Sequence, residues 1–260
     1  MRRERCSVVA AEPVGPYTLL RVDRGGLDPG IPGQFFMLEA PRRVLPRPMS
    51  VCLAAAGELA FLIDPIGPGT RSLCELERGE RLYVLGPLGN GFDLDVERPL
   101  LVGGGIGIAP LPYLSQELNG PPAILGFRSE LHAEAAVLLP GAEVCIEPTY
   151  VTALLPEERH DVLACGPEPM LAALQALVPN AEVAIEPTFV TDLLPWDGDV
   201  LACGPEPMLE AVRRLRPDAQ LAWEAPMACG YGACYGCAVE IDGELKRLCV
   251  EGPVLAAAAA

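Results

Sequence analysis

The sequence predicts an antiparallel β-barrel over residues 1–97, a parallel-sheet α/β domain over 98–221 and a small cysteine-rich lobe over 222–255, with an alanine tail at 256–260. Three observations carry this division. Short strand-like segments separated by Pro and Gly turns fill the first part. A buried strand, a glycine turn and a helix follow in "RPLLVGGGIGIAPLPYLSQEL". Four of the ten cysteines then crowd into "MACGYGACYGCAVEIDGELKRLC", residues 227–249.

The barrel reading rests on "YTLLRV", "GQFFMLEA", "MSVCLA", "ELAFLIDPIG" and "RLYVLGPLG". Two stretches within it have chemical character. In "LPRPMS", Arg47 suits pairing with a phosphate, Pro48 fixes the backbone and Ser50 presents a hydroxyl at a strand start. In "IGPGTRSL", Gly67 and Gly69 let a phosphate approach the backbone, and Thr70 opens a helix whose N-terminus favours an anion. Taken singly, such motifs are more often ordinary turns.

In the middle of the chain Gly103, Gly104, Gly105 and Gly107 let a dinucleotide pyrophosphate approach the start of a helix. The spacing departs from G-x-G-x-x-G, and no acidic residue ends the next strand, "PAILGFRS". Arg128 and Ser129 at that strand end suit a ribose 2′-phosphate, although an exposed arginine there is more often simply solvated. His132 and His160 lie in polar surroundings and suggest no general base.

The cysteines speak more specifically. Cys229, Cys234 and Cys237 read C-x4-C-x2-C, and Cys249 follows after eleven residues, the plant-type [2Fe-2S] arrangement. Gly230, Gly232 and Gly236 let a tight loop aim its N–H groups at sulfur. "CAVEIDGELKRLC" reads as a hairpin around Asp242-Gly243 that returns Cys249 to the others. A structural zinc site is the plainer alternative, but it favours two C-x2-C pairs and only one is present. Cys6, Cys52, Cys74, Cys145, Cys165 and Cys203 are scattered and read as small buried hydrophobes.

Composition narrows the function classes. With 35 acidic against 19 basic residues the net charge is -16, which opposes nucleic acid and anionic membrane surfaces. No apolar run approaches the ~20 residues of a membrane span. The basic start "MRRERCSVVAAEP" has too short an apolar stretch for a signal peptide, so the expected location is the cytoplasm, where clustered thiols bind metal rather than form disulfides.

In order, R-P-M-S, G-P-G-T, "LGPLGNGF", "GGGIGIAP", "CGPEPML" and "MACGYGACYGC" resemble the electron-transfer subunit of the heterotetrameric, NAD-dependent dihydroorotate dehydrogenase, in the ferredoxin–NADP reductase superfamily. The resemblance covers nearly the whole chain. It implies FAD held by Arg47, Pro48, Met49, Ser50, Gly67, Gly69 and Thr70, and a [2Fe-2S] cluster on Cys229, Cys234, Cys237 and Cys249. Gly104, Gly105 and Gly107 would face NAD, with Cys203, Gly204 and Pro205 beside it. The implied role is an oxidoreductase subunit of pyrimidine biosynthesis that relays electrons between a partner's FMN and NAD and needs no acid or base. Two rivals are a diaphorase-like subunit of a hydrogenase or transhydrogenase, and a non-catalytic protein with structural zinc.

Two features depart from the family pattern. Residues 143–181 and 182–219 form a tandem repeat, identical at 26 of 38 aligned positions, where the family has one unit. Each copy reads strand, short helix, strand, helix, and the second, which leads into the cysteine lobe, is expected in the family position. This choice favours Cys203, Gly204 and Pro205 over Cys165, Gly166 and Pro167. Family members also carry a D-G-S-type loop before the V-T-D-L-L helix, and here both copies run straight from "IEPT" into "VT".

Overall fold

A computed structural model describes residues 1–41, 43–147, 163–165, 182–184, 198–241 and 243–256. The first seven strands are β1 (Arg2–Val14), β2 (Tyr17–Asp23), β3 (Phe35–Leu38), β4 (Arg47–Ser50), β5 (Leu53–Ala55), β6 (Glu58–Ile63) and β7 (Arg81–Leu88), with helix α1 (Pro68–Cys74) between the last two. They pair antiparallel in the order β4-β3-β7-β1-β2-β6-β5 and curl into a half-barrel with β4 and β5 at its edges. β1 is a strand that the sequence reading passed over. Its Cys6 and Val8 point into the core while Arg3 and Arg5 face water, the period-two alternation of a half-buried strand. Pro48 sits in edge strand β4, where a missing N–H does least damage.

The second sheet contains β8 (Leu100–Gly104), β9 (Ala123–Phe127) and β10 (Glu143–Ile146), with α2 (Leu111–Glu117) and α3 (Glu130–Ala133) in the connections. β11 (Leu163–Cys165), β12 (Glu182–Ala184), β13 (Val200–Cys203), α4 (Glu206–Leu215), β14 (Gln220–Ala222), the hairpin strands β15 (Ala238–Ile241) and β16 (Glu244–Arg247), and β17 (Val254–Ala256) follow. The order is β10-β9-β8-β13-β14-β17, parallel throughout except for β17, which returns antiparallel to β14. The central strands β8, β9 and β13 are buried along their whole length, which is why they read as unbroken apolar runs. α4 turns Met208, Leu209 and Val212 inward and carries Arg213 and Arg214 in its last turn, where cations suit the helix dipole. Among the described residues no helix is long and apolar enough to cross a membrane.

The sheet takes neither repeat copy whole. β10, beside β9, comes from the first copy, whereas β13, between β8 and β14, comes from the second. The complementary halves, β11 of the first copy and β12 of the second, pair with each other in a separate two-stranded parallel sheet. The expected placement of the second copy therefore applies to its second strand, and the first strand is displaced. His160, Gly166, Pro167, the segment 190–194 and the tail from 257 lie outside the described residues.

This arrangement predicts which residues are dispensable. Deleting 147–185 joins Ile146 to Glu186, keeps "IEPT" intact and retains both β10 and β13 while removing β11 and β12 together. The shortened chain should purify soluble and unfold in a single thermal transition, measured by circular dichroism. Loss of cooperative unfolding would show that the second small sheet supports the first.

Candidate functional site

The site is built from three adjoining pieces, and the first follows from topology. From β8 the chain moves to β9 on one side, and β13 lies on the other, so a crevice opens beyond the carboxyl ends of β8 and β13. The predicted Gly104, Gly105, Gly107, Cys203, Gly204 and Pro205 all lie there. A Cβ on Gly107 would run into the backbone of Gly204, and one on Gly104 would come 2.8 Å from Met208 Sδ. Only glycine permits this approach of the two strand ends. Gly105, at φ +55°, would meet nothing within 4 Å and leaves its backbone open to the crevice. Cys203 is buried, and burial raises its thiol well above the ordinary value, with the Glu224 carboxylate adding to the shift.

The crevice is a cleft of about 380 Å³ between the two sheets, with Tyr17, Asp64 and Ile66 contributed by the half-barrel. Arg128 and His132 form part of its wall. Arg128 Nε donates to His132 Nε2 at 2.8 Å, and His132 Nδ1 lies 2.7 Å from Ser129 Oγ. The imidazole stands edge-on to Tyr17, centroids 5.8 Å apart. Burial and then the Arg128 charge lower the His132 pKa, against an opposing pull from Asp64.

A second cavity of about 240 Å³ adjoins the first, and Asp64, Ile66 and Ile106 line both. Pro48, Met49 and Ser50 of β4 and Thr70 of α1 form one side, and Trp223, Glu224, Ala225 and Met227 another. Arg47 lies against the start of α1: a Cβ on Gly69 would collide with its guanidinium, and Arg47 Nη1 donates to the Leu45 carbonyl at 2.9 Å. α1 begins at Pro68, two residues before the expected start. Thr70 therefore sits in its first turn, accepting from the Gly67 N–H at 3.0 Å and donating back to the Gly67 carbonyl at 3.1 Å. Glu224 is exposed and lines the cavity, and desolvation by the protein around it raises its pKa above the ordinary value. The sequence reading missed Asp64, Trp223 and Glu224. Their only signal was position, within four residues upstream of "IGPGT" and "MACGYG".

The third piece is the cysteine lobe. The β15–β16 hairpin aligns Ala238 with Arg247, and the Leu248 N–H donates to the Cys237 carbonyl, so Cys237 and Cys249 meet at its base with sulfurs 3.2 Å apart. Both are buried, whereas Cys234 is exposed. Burial would raise the Cys229 thiol, but hydrogen bonds from the backbone of Tyr231, Cys234 and Ala233 and from the Cys234 side chain bring it down to about 6. The Cys249 thiol is pushed up to about 12 by burial and by Cys237. Gly232, at φ +84°, donates its N–H to Cys249 Sγ at 3.2 Å, and Gly236 donates to Cys234 Sγ at 3.4 Å. Among the described residues no three His, Cys, Asp or Glu side chains gather around one point. The four thiols instead form two pairs, Cys229 with Cys234 and Cys237 with Cys249, a donor set that fits two irons better than one zinc.

A curled antiparallel half-barrel, a parallel α/β sheet and a cysteine lobe returning to that sheet define a ferredoxin–NADP reductase-like protein with an appended iron–sulfur region. A solved NADH-dependent reduced ferredoxin–NADP oxidoreductase has this fold, with a TM-score of 0.68 at 19% identity over 97% of this chain and 88% of that one. A sequence model of the iron–sulfur cluster binding domain of dihydroorotate dehydrogenase B matches residues 224–259. The electron transfer subunit of dihydroorotate dehydrogenase B (NAD(+)) from Geobacillus thermodenitrificans is 33% identical over 98% of this chain and 97% of its own length. The corresponding Caldanaerobacter subterraneus subunit is also 33% identical, over 86% of this chain and 84% of its own length. The chain belongs to the family of electron transfer subunits of dihydroorotate dehydrogenase B.

Two substitutions test the site. Cys234 is exposed, so Cys234→Ser disturbs no packing, and a hard oxygen is a poor iron ligand. Iron and sulfide content, measured chemically, should fall sharply while flavin content holds. Arg47→Ala should weaken FAD binding by ~1.5–3 kcal/mol, the worth of a charge-assisted hydrogen bond. Flavin released from the denatured protein should drop, with the cluster absorbance unchanged.

Proposed function

We propose that this chain relays electrons between an FMN-bearing dihydroorotate dehydrogenase subunit and NAD, in a heterotetramer of the cytoplasm. One observation carries the reading. The segment 223–229 lines the second cavity with Trp223, Glu224, Ala225 and Met227, and two residues later supplies Cys229.

Arg47, Pro48, Met49, Ser50, Gly67, Gly69 and Thr70 would hold FAD. Cys229, Cys234, Cys237 and Cys249 would hold the [2Fe-2S] cluster, and Gly104, Gly105, Gly107, Cys203, Gly204 and Pro205 would face NAD. Flavin, when bound, exchanges a hydride with nicotinamide and single electrons with a cluster. The chain's own residues bind, orient and exclude water. Asp64, Ile66 and Ile106 form the common wall that sets the nucleotide against the flavin. The buried Cys203 stays a neutral thiol at that junction, and no side chain has to gain or lose a proton.

The cysteine lobe also presents a face to a partner. Tyr231, Tyr235, Leu245 and Val250 are exposed large side chains of this lobe, where Cys234 is also exposed, and Arg247 lies over the Tyr235 ring, 5.0 Å from its centroid. Aromatic residues are favoured anchors in interfaces. Mixing this chain with the FMN-bearing subunit should let dihydroorotate reduce NAD, and Tyr235→Lys should abolish co-elution while NADH still bleaches the flavin. A fully loaded mixture in which dihydroorotate never reduces NAD would refute the assignment.

A further inference from the structure

We infer that His132 sets coenzyme choice by holding Arg128 and Ser129 back from a ribose 2′-phosphate, so that the cleft takes NAD and refuses NADP. The inference rests on the nucleotide site proposed above. Arg128 and Ser129 are the two side chains at the end of β9 with the chemistry to grip a phosphate. Both are engaged by one imidazole. A guanidinium nitrogen only donates, so His132 Nε2 must accept, which leaves the ring neutral with its proton on Nδ1 and Ser129 Oγ as the acceptor. The side-on fork of an arginine uses Nε together with one Nη, and here Nε is occupied.

The ring's own position is fixed from the other sheet. Tyr17 of β2 packs against it edge-on, and Tyr17 is buried, so the ring is held in place by packing as well as by hydrogen bonds. Glu147, following β10, and Asp64, following β6, line the same cleft. Their negative charge opposes the added 2′-phosphate of NADP, whereas a ribose 2′-hydroxyl adds no charge.

The test uses the full chain loaded with FAD and cluster. His132→Phe keeps a ring against Tyr17 and removes both nitrogens. Dissociation constants are measured by titration for NADH and NADPH and, without the nicotinamide, for ADP-ribose and 2′-phospho-ADP-ribose. Wild type should prefer the unphosphorylated member of each pair. His132→Phe should reduce that preference about tenfold, equivalent to ~1.4 kcal/mol, and adding Arg128→Ala should restore it. An unchanged preference in His132→Phe, a gain that survives loss of Arg128, or a wild type that prefers NADPH would overturn the inference alone. A wild type that binds neither NADH nor ADP-ribose would instead overturn the nucleotide site on which it rests.

Discussion

The structure depends on one shared apolar core that locks the cysteine lobe to both sheets. Phe35 and Met37 of β3, Leu100 and Val102 of β8, Trp223, Leu248 and the cysteines Cys237 and Cys249 belong to a single buried cluster. Fully burying a side chain of this size contributes roughly 1.5–3 kcal/mol, so separating the lobe would expose several such groups at once. The loop between the first two cysteines is seated on the same core. A Cβ on Gly230 would come 2.8 Å from Met37 Cγ, and Gly230 has φ +78°. Spacing between the second cavity and the thiols is therefore set by packing on β3 as well as by the short 223–229 connection.

A second core cluster ties the half-barrel to the α/β sheet from the other side. Tyr17, Leu19 and Leu62 pack with Leu101, Leu125 and Leu201. The two cavities lie along this junction and share a wall, so neither sheet alone contains a complete site. The chemistry belongs to the cofactors, and the chain contributes the adjoining cavities that would hold them and the coenzyme selectivity argued for His132.

Legibility in the sequence followed the range of the interactions involved. The four cysteines are spaced by a local loop and a hairpin, so C-x4-C-x2-C and the return of Cys249 toward Cys237 could be read directly. The curled sheet was largely legible from its alternating strands, yet β1 was missed because its exposed arginines mask the inward Cys6 and Val8. The glycine crossing was legible only as a glycine run, since Gly107 needs its small size because of Gly204, nearly a hundred residues away. The repeat is the clearest failure of local reading. Both copies carry the same strand signals, so nothing local selects the first strand of one and the second strand of the other. The pairing partners β9, β8 and β14 make that selection. From the sequence, Arg128 and Ser129 suited a 2′-phosphate but read more often as solvated, because only their local chemistry was visible, while the His132 contact that engages both depends on the turn into α3.

On the proposed assignment, flavin and cluster sit within one chain and exchange electrons inside it. The most direct measurement is anaerobic rapid mixing of the purified chain, alone and without any partner subunit, with NADH. Absorbance is followed at flavin and cluster wavelengths, and the product is frozen for electron paramagnetic resonance. Flavin bleaching followed by reduction of the cluster in the same chain, with a rate independent of protein concentration, is the predicted result. A flavin that bleaches fully beside a cluster that stays oxidised, or is reduced only as protein concentration rises, would contradict it.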